Sequence, residues 1–155
     1  MKHVVEPVAF VSAARQSPED DDWGGETAEI HLAEGIEDSA LDGLDAFSHV
    51  EVLFLFHRVQ ASAVVTGARH PRHNAAWPRV GIFAQRGKNR PNRIGSTICR
   101  IVGVTGRCLK VLELDAIDGT PVLDIKPVMK EFLPREATLQ PDWASELMAR
   151  YWARR

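Results

Sequence analysis

The chain lacks the long apolar runs that a bilayer requires. No stretch of about 18 apolar residues occurs, so no membrane partner is expected. Residues 1–7 lack the apolar core of a signal peptide, because Glu6 and Pro7 interrupt them at once, and a cytoplasmic location is expected. Cysteine is scarce. Cys99 and Cys108 form neither a CxxC pair nor a disulfide framework. Both lie in apolar, strand-like stretches and read as small buried hydrophobes. With a hairpin turn at Thr105–Gly106, Cys108 would face Gly103 and Cys99 would face Leu112, out of register for a bridge. Glycine-rich phosphate loops are missing too. There is no GxGxxG, and the near miss at Gly87–Lys88 has the wrong glycine spacing and Asn89 where Ser or Thr belongs. Of the six histidines only His70 and His73 are close, without a third ligand, so no metal is expected. No Ser-His-Asp or Cys-His arrangement stands out.

Acidic residues are absent from 67–110, where ten basic ones occur: Arg69, Arg72, Arg79, Arg86, Lys88, Arg90, Arg93, Arg100, Arg107 and Lys110. Residues 1–60 hold thirteen acidic and three basic residues. The net charge of −2 hides this segregation. Two readings stay open: the basic block meets an anionic partner, or the two halves face each other within the chain or across a dimer.

What is present is mostly strand signal. At 155 residues the chain is one ordinary domain. Strands are predicted at 3–11, 26–32, 47–57, 80–85, 97–104, 108–116 and 122–126. The segment 47–57 is apolar on both faces, as a covered barrel wall would be. Residues 15–25, 66–79 and 86–95 read as loops, 38–46 as a short helical turn and 118–121 as a turn. Residues 141–152 predict a helix with Trp143, Leu147, Met148 and Tyr151 on one face. The β-α alternation of a doubly wound fold is absent. The expected architecture is mainly β: a closed antiparallel sheet around residues 80–127, with a C-terminal helix packed on it.

One constellation carries chemistry. Arg86, Lys88, Asn89, Arg90, Pro91, Asn92, Arg93, Ile94 and Gly95 form a basic, turn-rich loop. Leu114–Asp115–Ala116–Ile117–Asp118–Gly119–Thr120–Pro121 and residues 122–127 follow. The two aspartates could neutralise arginines structurally, or they could line a pocket for a ligand with both amino and carboxylate groups.

These residues resemble the TsaA-like domain of the TrmO/YaeB family, whose pattern runs G-x-F-A-x-R-x-x-x-R-P-N-P-I-G and later L-D-x-x-D-G-T-P-V-x-D-I-K-P. Here it reads Gly81–Ile82–Phe83–Ala84–Gln85–Arg86, Arg90–Pro91–Asn92–Arg93–Ile94–Gly95, and 114–127. Upstream, residues 43–49 and 54–57 match as well, so that the resemblance covers about 3–130. It implies a six-stranded antiparallel β-barrel over 1–137 with residues 138–155 as a helix packed on it. It also implies S-adenosylmethionine as cofactor and a homodimer with sites near the subunit interface. Carried over by position, the cofactor pocket would include Asp22, Trp23, His57, Arg58, Arg86, Ser96, Asp115, Ala116, Ile117 and Asp118. Lys88, Arg90 and Arg93 are the candidates for substrate contact. Asp118 and Asn92 are the candidates to accept the proton of an N6 nitrogen, whose delocalised lone pair makes it a poor nucleophile.

The implied activity is N6-methylation of threonylcarbamoyladenosine beside the tRNA anticodon. A small-molecule or protein methyltransferase on the same barrel, or a non-catalytic regulator that binds the cofactor, remains open. Arg93 departs from the family's proline, which adds a charge and frees the loop backbone. Residues beyond 128 make a single helix where the tRNA enzyme carries a longer extension.

Overall fold

A computed structural model describes residues 1–155. Its strands are β1 (Ala9–Ala13), β2 (Thr27–Leu32), β3 (His49–Leu55), β4 (Ala68–Arg69), β5 (Val80–Gly81), β6 (Ile94–Thr105), β7 (Cys108–Leu112) and β8 (Pro121–Pro127). Six of them close a barrel in the order β1-β2-β7-β6-β3-β8, every neighbour antiparallel. The remaining two, β4 and β5, pair only with each other. One α-helix, α1 (Asp142–Met148), follows, and no helix is long and apolar enough to cross a membrane.

The core comes from period-two alternation. Val11, Ile30, Val50, Val52, Phe54, Cys99, Leu109, Val111 and Val122 point inward from successive strands and are buried. On β3 the opposite row is half-buried, so this wall is sealed on its inner face only. Gly95, last residue of the R-P-N-R-I-G run, is glycine for a packing reason. A Cβ there would lie 2.6 Å from the Phe54 ring and 2.9 Å from Phe56.

Several expected boundaries moved. The predicted strand 80–85 is not a barrel wall. It leaves extended structure after Gly81 and turns into a 3₁₀ segment at Ile82–Ala84. Gln85 caps it, donating from Nε2 to the carbonyls of Arg69 and Val80. The first strand begins at Ala9, opposite Leu32, the last residue of β2. Strand β7 stops at Leu112, where Glu113 takes a positive φ of 65°. A bulge between Ile101 and Gly103 and a turn at Gly106–Arg107 put Cys108 opposite Thr105, and Arg100 opposite Leu112. Cys99 and Cys108 are both free thiols. Cys99 is core, but Cys108 faces the outer wall and is only half-buried. Helix α1 is shorter than predicted; Tyr151 follows it in a turn, and Trp152 is exposed.

Replacing Gly95 by Ala should destabilise the barrel by about 1–3 kcal/mol, since the methyl group meets a buried ring that has no room to retreat. Urea unfolding checks this. Combining the change with Phe54→Leu should cost less than the sum of the two single changes, because the shortened side chain vacates the contact; strict additivity would refute the contact.

Candidate functional site

Antiparallel order decides where the loops go. Three connections emerge at one end of the barrel: 14–26 after β1, 56–93 after β3, and 113–120 after β7. Asp22, Trp23, His57, Arg58, Arg86, Lys88, Arg90, Asn92, Arg93, Asp115, Ala116, Ile117 and Asp118 therefore all belong to one mouth. A recess of about 520 Å³, lined mostly by apolar groups such as Val8, Leu41 and Phe47, opens at the opposite end and includes none of them.

Asp115 stands at the centre of the mouth. Thr97, the polar member of the inward row of β6, donates to its Oδ1, and the Tyr151 hydroxyl donates to its Oδ2. Burial first, and then the Asp115 charge, push the Tyr151 phenol far above its ordinary value, so it stays a donor. A carboxylate offers about four acceptor positions; two remain. Arg86 acts on the same phenol electrostatically and donates to the Ser96 carbonyl at 2.5 Å. The Ser96 hydroxyl lies on the outward row instead, bonded to Glu51 at 2.7 Å.

Asp118 is a fastener. Its Oδ1 accepts the Ala13 N–H at 3.0 Å, and its own N–H donates to the Arg15 carbonyl at 2.8 Å. The Ala13 hydrogen bond, then the Gln16 side chain and the Arg58 charge, hold its carboxyl below the ordinary 3.8, which makes it a weak base. The Ala116 and Ile117 side chains are buried, Ala116 within the barrel core. Asn92 is exposed at a φ of 60°. His57 is half-buried, and its pKa is lowered by burial first and by Arg58 second, which keeps the ring neutral near pH 7.

The basic block divides. Arg72 grips Asp21 with two hydrogen bonds of 2.9 and 3.0 Å, Lys88 reaches Asp20 at 3.4 Å, and Arg107 pairs with Asp38. The guanidiniums of Arg86, Arg90 and Arg93 bond only to carbonyls, those of Ser96, Gln85 and Val59. Their positive charge is thus oriented without being neutralised. The reading in which the two halves face each other holds for Arg72, Lys88 and Arg107, and Arg86, Arg90 and Arg93 lie outside it. Arg93 has a φ of 55°, which no proline ring allows, so the loop follows a path closed to the family's usual residue.

A family profile described as the tRNA-methyltransferase O N-terminal domain matches residues 11–132. The chain belongs to that family. The crystal structure of TrmO from Pseudomonas aeruginosa resembles it with a TM-score of 0.73 at 29% identity, over 93% of this chain and 63% of that one. A human tRNA (adenine(37)-N6)-methyltransferase is 38% identical over 102 residues, 66% of this chain and 23% of that protein. The Escherichia coli protein of the same description is 40% identical, over 65% of this chain and 45% of its own length. A probable S-adenosyl-L-methionine-binding protein of Methanothermobacter thermautotrophicus is 35% identical, over 70% of this chain and 74% of its own length. The chain thus spans under half the length of the human and Escherichia coli relatives it matches, and about three-quarters of the archaeal one.

Three residues outside the family pattern complete the mouth. Arg15 is 94% buried by the complement of its 6% exposure, stacks 3.7 Å from the Trp23 ring, and donates to the carbonyls of Asp21 and Asp22; its Nε has no acceptor. Tyr151 and Thr97 are the other two. Sequence signals for them existed: an arginine followed by an acidic loop, one threonine in an apolar inward row, and the only tyrosine of the chain on the predicted helix face.

The C-terminal tail is laid across the mouth. The N–H groups of Asp22, Trp23 and Gly24 donate to the carbonyls of Arg150, Tyr151 and Ala153 at 2.8–3.1 Å. A Cβ on Gly24 would overlap the Trp152 carbonyl. Trp77 Nε1 donates to Glu146 at 2.8 Å from the other side. Gly24→Ala should therefore undock the tail while leaving the barrel folded. Limited trypsin digestion should cut after Arg150 faster than in the unaltered protein; equal rates would show that the tail is not held through Gly24.

Asp118 gives a pH signature. Its depressed carboxyl stabilises the fold above the unfolded-state value and loses that effect as pH falls through the folded-state value. The gap in urea midpoint between the unaltered protein and Asp118→Ala should be full near neutrality and shrink below about pH 4. A gap that persists at acid pH would show that the ionised form is not what holds Ala13.

Proposed function

We propose that the chain binds S-adenosylmethionine at the barrel mouth and methylates N6 of threonylcarbamoyladenosine beside the tRNA anticodon. The observation that carries the reading is the oriented Asp115 carboxylate, with two acceptor positions left and Arg86 acting on its Tyr151 partner. The named relatives, described as tRNA (adenine(37)-N6)-methyltransferases and S-adenosylmethionine-binding proteins, support the same cofactor and acceptor.

The residues fit such a ligand by charge. Asp115 suits hydroxyl or ammonium donors. The unsatisfied Arg15 Nε, buried beside the Asp22–Trp23 loop, suits a carboxylate, and Arg86 suits a carboxylate or phosphate. The cofactor, when bound, supplies an electrophilic methyl group. The protein's own part is to orient and to exclude water. Thr97 and Tyr151 fix the plane of Asp115, and Trp23 and the tail cover the mouth. Neutral His57 is better suited than Asp118 to take the proton released from the acceptor nitrogen, because Asp118 is a weak base already engaged by Ala13. Arg90 and Arg93, oriented by carbonyls, face an RNA backbone, together with Lys88 once it is released from Asp20.

Within this reading the barrel and residues 138–155 act as one unit, since Tyr151 belongs to the site. The protein works as a cytoplasmic homodimer. The exposed row Ile94, Ile98 and Val102 on the outer wall of β6 offers the dimer an apolar face.

Calorimetric titration with S-adenosylmethionine should show binding that Asp115→Ala weakens by about ten- to a hundredfold, the usual worth of a charged hydrogen-bonding partner. Tyr151→Phe should weaken it less, since Thr97 still orients the carboxylate. Unaltered affinity in a folded Asp115→Ala protein would remove Asp115 from the site. Methyl transfer to tRNA from a strain lacking the gene should follow. Turnover without RNA would move the assignment to a small-molecule or protein acceptor, and binding without any turnover would move it to a regulator.

A further inference from the structure

On the opposite side of the wall from the core, β2 and β7 bring together three side chains that the mouth does not use. The register places His31 directly opposite Cys108 and Glu29 opposite Lys110. Residues two apart on a strand share a face, so Glu29 and His31 stand side by side with Cys108 across from them. The carboxylate, imidazole and thiol ligand atoms all lie within 4.8 Å of one another. The bulge at Ile101–Gly103 opens a shallow recess beside them, floored by Val102, Gly103 and Thr105. Glu29 has a choice of partners here. It bonds His31 Nε2 at 3.1 Å and forms no ion pair with its cross-strand neighbour Lys110. The His31 and Glu29 side chains are 49% and 47% exposed, so both are accessible from solvent.

We propose that Glu29, His31 and Cys108 form a surface site for a thiophilic divalent cation of the zinc class. The donor set is one sulfur, one nitrogen and one oxygen, which tetrahedral zinc accepts at about 2.0–2.3 Å. Ligand atoms on such an ion stand about 3.5 Å apart, which side-chain rotation about the three Cβ atoms reaches from the present spacing without moving either strand. Water fills the fourth position, as the recess leaves that side open. Binding releases the Cys108 thiol proton to solvent. The two resulting anions and Lys110 leave a formal charge of −1 against the incoming +2. The proposal is independent of methyl transfer.

The test uses the untagged full chain, stripped with chelator and kept reduced with a phosphine. Titration with Co²⁺ should produce a thiolate-to-metal charge-transfer band and the intense visible bands of a tetrahedral ion, and Zn²⁺ should displace both. Cys108→Ser should abolish the charge-transfer band, and His31→Ala should weaken binding by at least about tenfold. Cys99→Ser, a core thiol, should leave the spectrum unchanged if that variant folds; alkylation of Cys108 in the unaltered protein, blocked by prior Zn²⁺, gives a second readout that needs no variant. Absence of the charge-transfer band at millimolar Co²⁺, or a band that survives Cys108→Ser, would overturn the site.

Discussion

Between Ala13 and Val122 the barrel is closed by a turn more than by a ladder. Strands β1 and β8 share only the register pairs Ala9–Val122 and Phe10–Pro121, and Pro121 has no N–H to give. The D-G-T turn continues the seam. Val11 donates to the Thr120 carbonyl, Gly119 donates to Val11, and the Asp118 carboxylate takes the Ala13 N–H just beyond. Gly119 has a φ of 77°, which the turn needs. Because Asp115 lies three residues upstream on the same connection, the seam that closes the barrel also sets the carboxylate at its mouth. Loss of the seam would free the 113–120 loop and the 14–26 loop together.

Charge organises the rest. The acidic run Asp20–Asp22 does not repel the basic block; it pins two members of it, Arg72 and Lys88, and ties the tail through Arg150 at 3.2 Å. These are exposed or half-exposed pairs, each worth little alone and screened by salt. Their effect is geometric. They draw the 66–79 loop, the basic loop and the C-terminus toward the same acidic stretch, and leave Arg86, Arg90 and Arg93 directed by carbonyls. A guanidinium bonded to a carbonyl keeps its full charge, so these three arginines stay cationic at the mouth.

The strands were legible because alternation is a local signal: residues 26–32 read correctly to within a residue, and β3 was shortened at its ends without being lost. The segment 80–85 was misread because a short apolar run carries no information about whether a partner edge is free; the edge it needed belongs to Ala68–Arg69, and Gln85 closes it off. The hairpin register was missed by two at the turn, which falls at Gly106–Arg107, and by one beyond the bulge, which leaves no mark in composition beyond a glycine. At the site, motif residues were found but their roles were not all visible. Ser96 and Thr97 differ by one position and therefore by a whole face of the sheet, and the inward hydroxyl belongs to Thr97. Tyr151 was placed on a packing face of the helix, yet its hydroxyl reaches Asp115 because the helix ends early and the tail turns back.

Strained backbone collects where those loops meet. Asp22, Arg72, His73, Asn92, Arg93 and Glu113 all take positive φ without being glycine, and all lie in the three connections at the mouth. Such conformations cost of order 1 kcal/mol or more each and persist only where neighbours over-determine them. The neighbours are identifiable: Asp22 is held by the Arg150 carbonyl and side chain, Arg72 by Asp21, Arg93 by the Val59 carbonyl, and Glu113 by the Gly25 N–H at 3.0 Å. Three of these tethers join one loop to another or to the tail, and the Arg93–Val59 bond closes the 56–93 connection on itself. The mouth is thus shaped by cross-loop contacts and not by any loop's own propensity. This explains how Arg93 can replace a proline there: the position is fixed by what its guanidinium reaches, and the ring that would have fixed φ at a negative value is both unnecessary and excluded.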